Sequence, residues 1–131
     1  WRPYSIVSAP DDDELEFLTG RRDSAAVRDL WHPGLKLMVL TLGGRGCIAI
    51  DATGERQVES IRVEPVDTTG AGDGFVAGLL AGLLRCEDFP TGDALAGICR
   101  FANVVGAITT TRRGAIPSLP SRAAVEALLA G

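Results

Sequence analysis

The residues best suited to chemistry lie in the stretch from Ile61 to Arg85, where an apolar run meets glycines and then a helix-like pattern. Apolar residues leading up to Asp67 predict a strand, and from Gly74 onward apolar residues recur at helical spacing. The glycines lie at the junction of the two predicted elements. Because the first N–H groups of a helix have no partner within it and its dipole is positive there, this junction is suited to binding an anion.

The predicted anion site uses backbone groups rather than basic side chains. The amides of Ala71, Gly72 and Asp73 are placed to hold a phosphate, and Gly70 and Gly72 allow a close approach and unusual φ values. Asp73 is the unexpected member, because its carboxylate would repel a phosphate. We therefore predict that Asp73 accepts a proton from a hydroxyl group that attacks the phosphorus atom.

Other interpretations of this junction are close packing alone and two better-known nucleotide motifs. A glycine-rich turn between a strand and a helix can serve only to pack the two tightly, and that alternative stays open at this point. A P-loop needs Lys and then Ser or Thr after its last glycine, but Phe75 and Val76 follow Gly74. A dinucleotide fingerprint needs a third glycine where Phe75 stands, so neither motif is present.

The whole string VDTTGAGDGFVAGLL resembles the C-terminal signature of the ribokinase-like (PfkB-type) carbohydrate kinases, D-T-x-G-A-G-D followed by an apolar helix. The resemblance implies that Asp73 is the catalytic base. It implies that the amides of Gly70–Gly72 form the anion hole for the transferred phosphoryl group. It also places Asp67 and the Thr69 carbonyl in the region of a monovalent cation site.

A second resemblance concerns the nucleotide. The apolar run from Lys36 to Leu42 predicts a strand buried on both faces, and the glycines after it predict a hairpin that needs no function. This turn also resembles the family's T-L-G-x-x-G, which implies that Thr41, Gly43 and Gly46 lie against ATP.

Three further positions carry family roles. Asn103 lies on a long predicted helix and either borders the adenine or caps a buried backbone group. Glu14 matches the Glu of the family's N-x-x-E, which helps to order magnesium, although Asp11 stands where Asn is commoner. Residues 111–120 resemble T-R-x-G-A-x-x-S-x-P, a loop whose carbonyls contribute to the cation site.

Composition bounds the class of protein. The 131 residues are 46% hydrophobic, which indicates a globular chain. The net charge of −4 and the pI of about 4.9 argue against nucleic acid as the main partner. No apolar run has the length of a membrane span and no secretion signal opens the chain, so we expect a soluble, cytoplasmic protein. The three cysteines form no C-x-x-C pair and are expected to be reduced core thiols.

The order of predicted elements indicates an α/β fold. A short strand at Ile6-Val7, a helix ending at Gly20 and a second helix from Ser24 precede the hairpin, and three helices follow it. We expect a ribokinase-like layered fold with a mostly parallel sheet flanked by helices. Because the chain starts at Trp1 and family members are on the order of 300 residues, we interpret residues 1–131 as the C-terminal nucleotide-binding and catalytic portion of a longer kinase.

The resemblance implies transfer of a phosphoryl group from ATP, with Mg²⁺, to a hydroxyl group of a small sugar or sugar acid. Fructokinase and 2-keto-3-deoxygluconate kinase are the implied types, and potassium dependence is left open. The alternative is a nucleotide-binding fragment that lacks the sugar-binding half and is not an enzyme by itself. Neither hypothesis involves a membrane or nucleic acid, and a homo-oligomer stays open.

Overall fold

The computed structural model describes residues 6–8, 16, 20, 31, 33–111, 113 and 121–130. Some predictions fall outside these ranges, namely the metal role of Glu14 with Asp11, the helix from Ser24, and the loop over residues 114–120. Glu16 is helical, and the Gly20 N–H donates to the Glu16 carbonyl at 2.7 Å. Gly20 has a φ of 77°, which agrees with the predicted helix end at this glycine.

Four short strands form one sheet in the order β1-β2-β3-β4. Their bounds are β1 Ile6–Ser8, β2 Leu35–Thr41, β3 Cys47–Asp51 and β4 Gly54–Val58. β1 pairs with β2 in parallel, whereas β2 with β3 and β3 with β4 pair antiparallel. The expected parallel arrangement is therefore limited, in the described strands, to the first pair. The links after β2 and β3 are too short for the crossover that parallel strands need.

The described residues after the sheet contain three helices, α1 Ala71–Leu83, α2 Gly92–Thr109 and α3 Arg122–Ala130. α1 begins at Ala71, so the amides predicted to hold an anion, those of Ala71, Gly72 and Asp73, lie in its first turn. With these helices packed on the sheet, the predicted α/β class is confirmed. No helix in the described ranges combines the length and the apolar character needed to cross a bilayer.

Glycines let α1 and α2 pack almost backbone to backbone. A Cβ atom added to Gly78 would lie 3.0 Å from the Cα atom of Ala102, and one added to Gly74 would lie 2.6 Å from Oγ1 of Thr109. Residues early in α1 thus meet residues late in α2, so the two helices run antiparallel. Their separation is set by main-chain atoms, which leaves little room for side-chain adjustment.

The main core lies between the sheet and helices α1 and α2. The sheet contributes Leu37, Val39, Cys47, Ala49 and Val58, and the helices contribute Phe75, Leu79, Leu83, Leu95, Cys99 and Ala102. A second cluster, Leu35, Met38, Leu40 and Ile50, lies on the opposite face of the sheet. β2 is therefore buried on both faces, as its continuous apolar run predicts.

Two of the cysteines lie in this core. Cys47 and Cys99 are buried free thiols on facing elements, which confirms the prediction of reduced core thiols for this pair. The hydrogen bond to Cys47, together with burial, raises the pKa of Cys99. The Cys99 thiol therefore stays protonated near neutral pH.

The segment between β4 and α1 contains no strand, so the strand predicted up to Asp67 is wrong. The preceding strand ends at Val58, and Val66 is 63% exposed. The N–H groups of Val66 and Asp67 both donate to the Thr110 carbonyl, at 2.7 and 3.0 Å. The residue after α2, rather than a neighbouring strand, thus satisfies this backbone.

Candidate functional site

A short glycine loop, residues 67–70, leads into α1. Asp67 Oδ1 accepts a hydrogen bond from the Thr69 N–H at 2.9 Å, which closes an Asx turn. Gly70 then adopts φ 82° and ψ 2°, a left-handed conformation that favours glycine. Its carbonyl accepts the hydrogen bond of the Gly74 N–H at 2.8 Å. The helix thus starts from a glycine and has no side-chain cap.

The first turn of α1 carries backbone donors without partners among the described residues. The N–H groups of Gly70, Gly72 and Asp73 make no hydrogen bond there, whereas the Ala71 N–H donates to the Thr68 carbonyl at 3.2 Å. The Ala71 amide is therefore engaged in the turn, and the other predicted amides are available. Available N–H groups at the positive end of a helix dipole favour an anion.

The Asp73 side chain lies beside these donors. It is exposed, and no hydrogen bond or ion pair joins it to another described residue. Because it is in the first turn of α1, its carboxylate is adjacent to any anion that the amides hold. A carboxylate in that position can accept a proton from a hydroxyl group that approaches the anion.

The end of α2 supports the glycine loop from behind. Thr109 is fully buried against Gly74, and a Cβ atom added to Gly106 would lie 3.1 Å from the Ala71 carbonyl oxygen. The Thr110 carbonyl, one residue further on, holds the segment that enters the loop. Both sides of the loop are thus fixed to one turn of α2.

The turn between β2 and β3 contains the predicted ATP-turn residues. It consists of the 3-10 helix Gly43–Arg45 and Gly46, whose N–H donates to the Gly43 carbonyl at 3.2 Å. Gly43 has a φ of 59° with open space around it, whereas at Gly46, with a φ of 95°, a Cβ atom would overlap the Val58 carbonyl oxygen. Thr41 ends β2 and is half-buried. Gly46 is therefore required by the fold itself.

Asn103 is 5% exposed and binds the chain that leaves β4. Its Nδ2 group donates to the carbonyls of Val58 and Glu59, at 3.0 and 3.3 Å. Its own backbone carbonyl accepts the Ser60 hydroxyl at 3.5 Å. Of the two roles that the sequence leaves open, the structure shows the capping role. Both amide hydrogens are used, so a contact with adenine, which stays a prediction, would have to involve Oδ1.

The predicted site residues are arranged along the C-terminal half of α2. Asn103 meets the segment against which the β2–β3 turn packs, and Gly106 and Thr109 meet the start of α1. At 1.5 Å per residue, Asn103 and Thr110 are about 10 Å apart along the helix axis. The two sets of contacts therefore lie about two helical turns apart on α2.

The described residues offer little for a metal ion by themselves. They contain no group of three or more His, Cys, Asp or Glu side chains that could hold one. Asp67 is a half-buried carboxylate in the loop, and Glu14 lies outside the described ranges. Since Mg²⁺ usually keeps waters and binds through one or two carboxylates and substrate phosphates, a site completed by a nucleotide fits these residues.

Sequence reasoning missed the supporting residues of this site, chiefly Gly106, Thr109 and the Thr110 carbonyl. None of them belongs to the glycine motif, and all act through contacts with residues more than thirty positions earlier in the chain. The available signal was the run of threonines that ends α2, because hydroxyl side chains at a helix end often bind backbone groups.

Comparison with known proteins gives a consistent result. The model of the family described as "pfkB family carbohydrate kinase" matches residues 1–122. A protein described as probable fructokinase-3 from Arabidopsis thaliana is 44% identical over 131 residues, which cover 98% of this chain and 37% of the relative. Fructokinase-2 from Solanum habrochaites is also 44% identical, over 100% of this chain and 40% of the relative.

Solved structures resemble the fold as well. A fructokinase from Vibrio cholerae, in a form with bound fructose, ADP and potassium, is 35% identical with a TM-score of 0.84 and covers 94% of this chain and 40% of its own. An aminoimidazole riboside kinase from Salmonella enterica is 35% identical with a TM-score of 0.82 and covers 95% of this chain and 42% of its own. The chain thus spans about two fifths of the length of these relatives.

Proposed function

The chain belongs to the pfkB family of carbohydrate kinases, and on that premise we propose that it is the nucleotide-binding and catalytic portion of a longer ATP-dependent kinase. The reaction is phosphorylation of a hydroxyl group of a sugar or sugar acid. The observation that carries this proposal is the first turn of α1, where N–H groups of Gly72 and Asp73 without partners in the described residues stand beside an exposed carboxylate. That pairing suits a phosphoryl group and its attacking hydroxyl.

The amides at the start of α1 are proposed to stabilise the transferred phosphoryl group. In phosphoryl transfer, charge spreads over the equatorial oxygens of a loose transition state, so preorganised donors contribute much of the catalysis. The Gly72 and Asp73 N–H groups need no rearrangement to donate, because they make no hydrogen bond with another described residue. The Ala71 N–H takes part only if it also shares its bond to Thr68.

Asp73 is proposed as the general base. Its carboxylate orients the sugar hydroxyl early and receives its proton as the new O–P bond forms. The side chain is exposed and free of competing partners among the described residues, so a hydroxyl group can reach it. Proton transfer of this kind contributes about 10²- to 10⁴-fold to a rate.

The nucleotide is proposed to lie along the C-terminal half of α2. Its phosphates meet the start of α1, and its nucleoside lies toward Thr41, Gly43 and the region of Asn103. Gly43 is the member of the turn best placed for such a contact, because it is exposed and has open space around it. Gly46 shapes the turn from within.

Magnesium and potassium are part of the proposal. Similar proteins support both ions: a fructokinase structure from Vibrio cholerae contains ADP and potassium, and a ribokinase-type structure from E. coli contains ATP and Mg²⁺. Bound Mg²⁺ would neutralise charge on the phosphates. In this chain Asp67, the Thr69 carbonyl and Glu14 are the proposed cation-binding groups.

The substrate is proposed to be fructose or a similar sugar. Fructokinases are prominent among the relatives, and a solved fructokinase relative contains fructose. Because the chain spans about two fifths of those proteins, the remaining residues of the intact kinase would complete the sugar site. A cytoplasmic location belongs to the same proposal.

Calorimetric titration of the 131-residue chain with ATP and Mg²⁺ tests the nucleotide half. We expect binding that Gly72→Leu abolishes, because a Cβ atom on Gly72 meets nothing within 4 Å and the new side chain would occupy the anion position without an internal clash. Gly97→Leu is the matched control, since Gly97 is exposed on α2 with equally open space. Equal binding by both variants would contradict the anion site.

Asp73→Asn tests the base in the intact kinase. Turnover should fall about 10²- to 10⁴-fold, while ATP binding persists because the amides remain. Asp93→Asn changes another exposed first-turn aspartate, at the start of α2, and should leave turnover unchanged. Near-normal turnover of Asp73→Asn would refute the base assignment. Binding of ATP by the isolated chain without turnover would support the nucleotide-binding fragment.

A further inference from the structure

We propose that Asp67 is a positioning residue whose carboxylate holds the phosphate-binding loop in its working shape, an inference that rests on the function proposed above. This role concerns the geometry of the carboxylate and not its charge. It is therefore distinct from the cation-binding role already considered for the same residue. Three linked sets of hydrogen bonds in the structure support this positioning role.

The first set anchors Asp67 to the protein. The Asp67 N–H donates to the Thr110 carbonyl at 3.0 Å, and the Val66 N–H donates to the same oxygen at 2.7 Å. Thr110, which accepts both bonds, is 9% exposed. The main chain of Asp67 is thus fixed in place before the loop begins.

The second set makes the anchor itself rigid. The hydroxyl groups of Thr109, Thr110 and Thr111 donate back to carbonyls of the last turns of α2, at 2.8, 2.7 and 2.7 Å. Three successive hydroxyl groups thus bind the helix end, where the carbonyls of Ala107 and Ile108 also accept the N–H groups of Thr110 and Thr111. Thr109 also packs on Gly74 in the first turn of α1. The anchor for Asp67 and the support for α1 are therefore one piece of structure.

The third set is a hydrogen bond within the loop that the Asp67 carboxylate accepts. Its Oδ1 atom accepts the Thr69 N–H at 2.9 Å. Only residues 68–70 separate the anchored Asp67 from the first residue of α1. The carboxylate therefore restrains the middle of a span whose two ends are already fixed. Without that restraint the span gains conformations, and only a fraction of them present the Gly70 and Gly72 amides correctly for a phosphate.

Two substitutions separate geometry from charge. Asp67→Asn keeps an oxygen acceptor at the same distance from the main chain but removes the charge. Asp67→Glu keeps the charge but moves the acceptor one methylene away from the Thr69 N–H. If the position of the acceptor oxygen holds the loop, amide exchange at Thr69 in the asparagine variant resembles that of wild type, and exchange in the glutamate variant is faster. If the negative charge holds the loop, the glutamate variant resembles wild type and the asparagine variant exchanges faster.

The chain contains a matched control for these changes. Asp51 forms the same kind of turn between β3 and β4, where its Oδ1 accepts the Thr53 N–H at 2.8 Å and the Thr53 hydroxyl at 2.6 Å. That turn lies at the end of β3 away from the Gly43–Arg45 turn. Asp51→Glu should speed exchange at Thr53 and leave the loop before α1 unaffected.

The experiment is amide hydrogen exchange of the 131-residue chain, read residue by residue by NMR, together with titration of each variant with ATP and Mg²⁺, with and without potassium chloride. For Asp67→Glu we expect about tenfold faster exchange at Thr69 and about tenfold weaker nucleotide binding, the order expected when one partly exposed hydrogen bond is lost. For Asp67→Asn we expect exchange at Thr69 within about twofold of wild type, since a neutral acceptor keeps part of that bond. Nucleotide binding by this variant also reports the proposed cation role, so it does not decide the positioning role.

The proposal would be overturned if exchange at Thr69 were faster in the asparagine variant and at the wild-type rate in the glutamate variant. Exchange at the wild-type rate in both variants, or equally accelerated exchange in both, would also overturn it. A potassium effect that is lost in Asp67→Asn alone, with unchanged exchange, would assign the charge to a cation and leave the positioning role in place. If the wild-type chain does not bind ATP, the proposed function fails for this chain, while the exchange data still decide whether Asp67 holds the loop.

Discussion

Replacing Gly46 by alanine tests how the turn after β2 is built. Gly46 has φ 95° and ψ −135°, a conformation that costs residues other than glycine about 1–3 kcal/mol. The new Cβ atom would overlap the Val58 carbonyl oxygen and lie 2.9 Å from both Glu59 Cα and Ser60 N. All of these are main-chain atoms, so the segment after β4 must move, and overpacking of this kind costs about 1–3 kcal/mol. We expect the free energy of unfolding to fall by about 4 kcal/mol, the middle of the summed range.

Two neighbouring glycines provide matched controls. Gly43 has a φ of 59° with nothing within 4 Å of an added Cβ atom, so Gly43→Ala carries only the backbone cost, about 1–2 kcal/mol. Gly44 has neither a positive φ nor a close neighbour, so Gly44→Ala should change stability by less than about 0.5 kcal/mol. The difference between the Gly46 and Gly43 variants then measures the steric overlap.

Urea unfolding followed by far-ultraviolet circular dichroism supplies these values, with the slope of each transition checked for two-state behaviour. If Gly46→Ala costs no more than Gly43→Ala, the steric argument is wrong. The series also guides the nucleotide experiments. Loss of ATP binding in Gly46→Ala would report a displaced turn, whereas the same loss in Gly43→Ala would report a lost contact.

Two further substitutions test contacts around the sheet. Asn103→Leu should lower the free energy of unfolding by about 2 kcal/mol, because the buried carbonyl of Val58 and the partly buried carbonyl of Glu59 lose their donor. A change below about 0.5 kcal/mol in urea unfolding would show that water replaces the amide. Arg56→Ala removes a 2.9 Å ion pair with Asp93 whose side chains are both exposed. We expect no resolvable shift of the urea midpoint, since solvent screens such pairs, and a clear loss of stability would contradict that expectation.

Elements with a strong local pattern could be predicted from the sequence. The uninterrupted apolar run that forms β2 indicates burial on both faces. The helical spacing of Phe75, Leu79, Leu80, Leu83 and Leu84 indicates α1. Of these residues Phe75, Leu79 and Leu83 are buried, whereas Leu80 and Leu84 are exposed. The glycine-to-helix junction was also correctly placed, because glycines and helical periodicity are local signals.

Features that depend on distant contacts could not be predicted in this way. Residues 61–67 alternate like a strand, but Pro65 removes a backbone donor and the end of α2, more than forty residues later, binds Val66 and Asp67. Asn103 gives no local sign of whether it caps a backbone or contacts a ligand, because the choice depends on where β4 ends. The roles of Asp73 and Thr41 stay predictions, since both roles are contacts with a ligand and not with another part of the chain.

The antiparallel contact of α1 and α2 also bears on how the chain folds. Only residues 84–91 link the two helices, so contacts near that link close short loops and cost little chain entropy. The contact of Gly74 with Thr109 lies at the open end of this helical hairpin and closes a far longer stretch. We expect contacts between α1 and α2 to form first near residues 84–91 and last at the end where Gly74 meets Thr109. The part of the hairpin proposed to do chemistry is then the last to form and the first to open in the native protein.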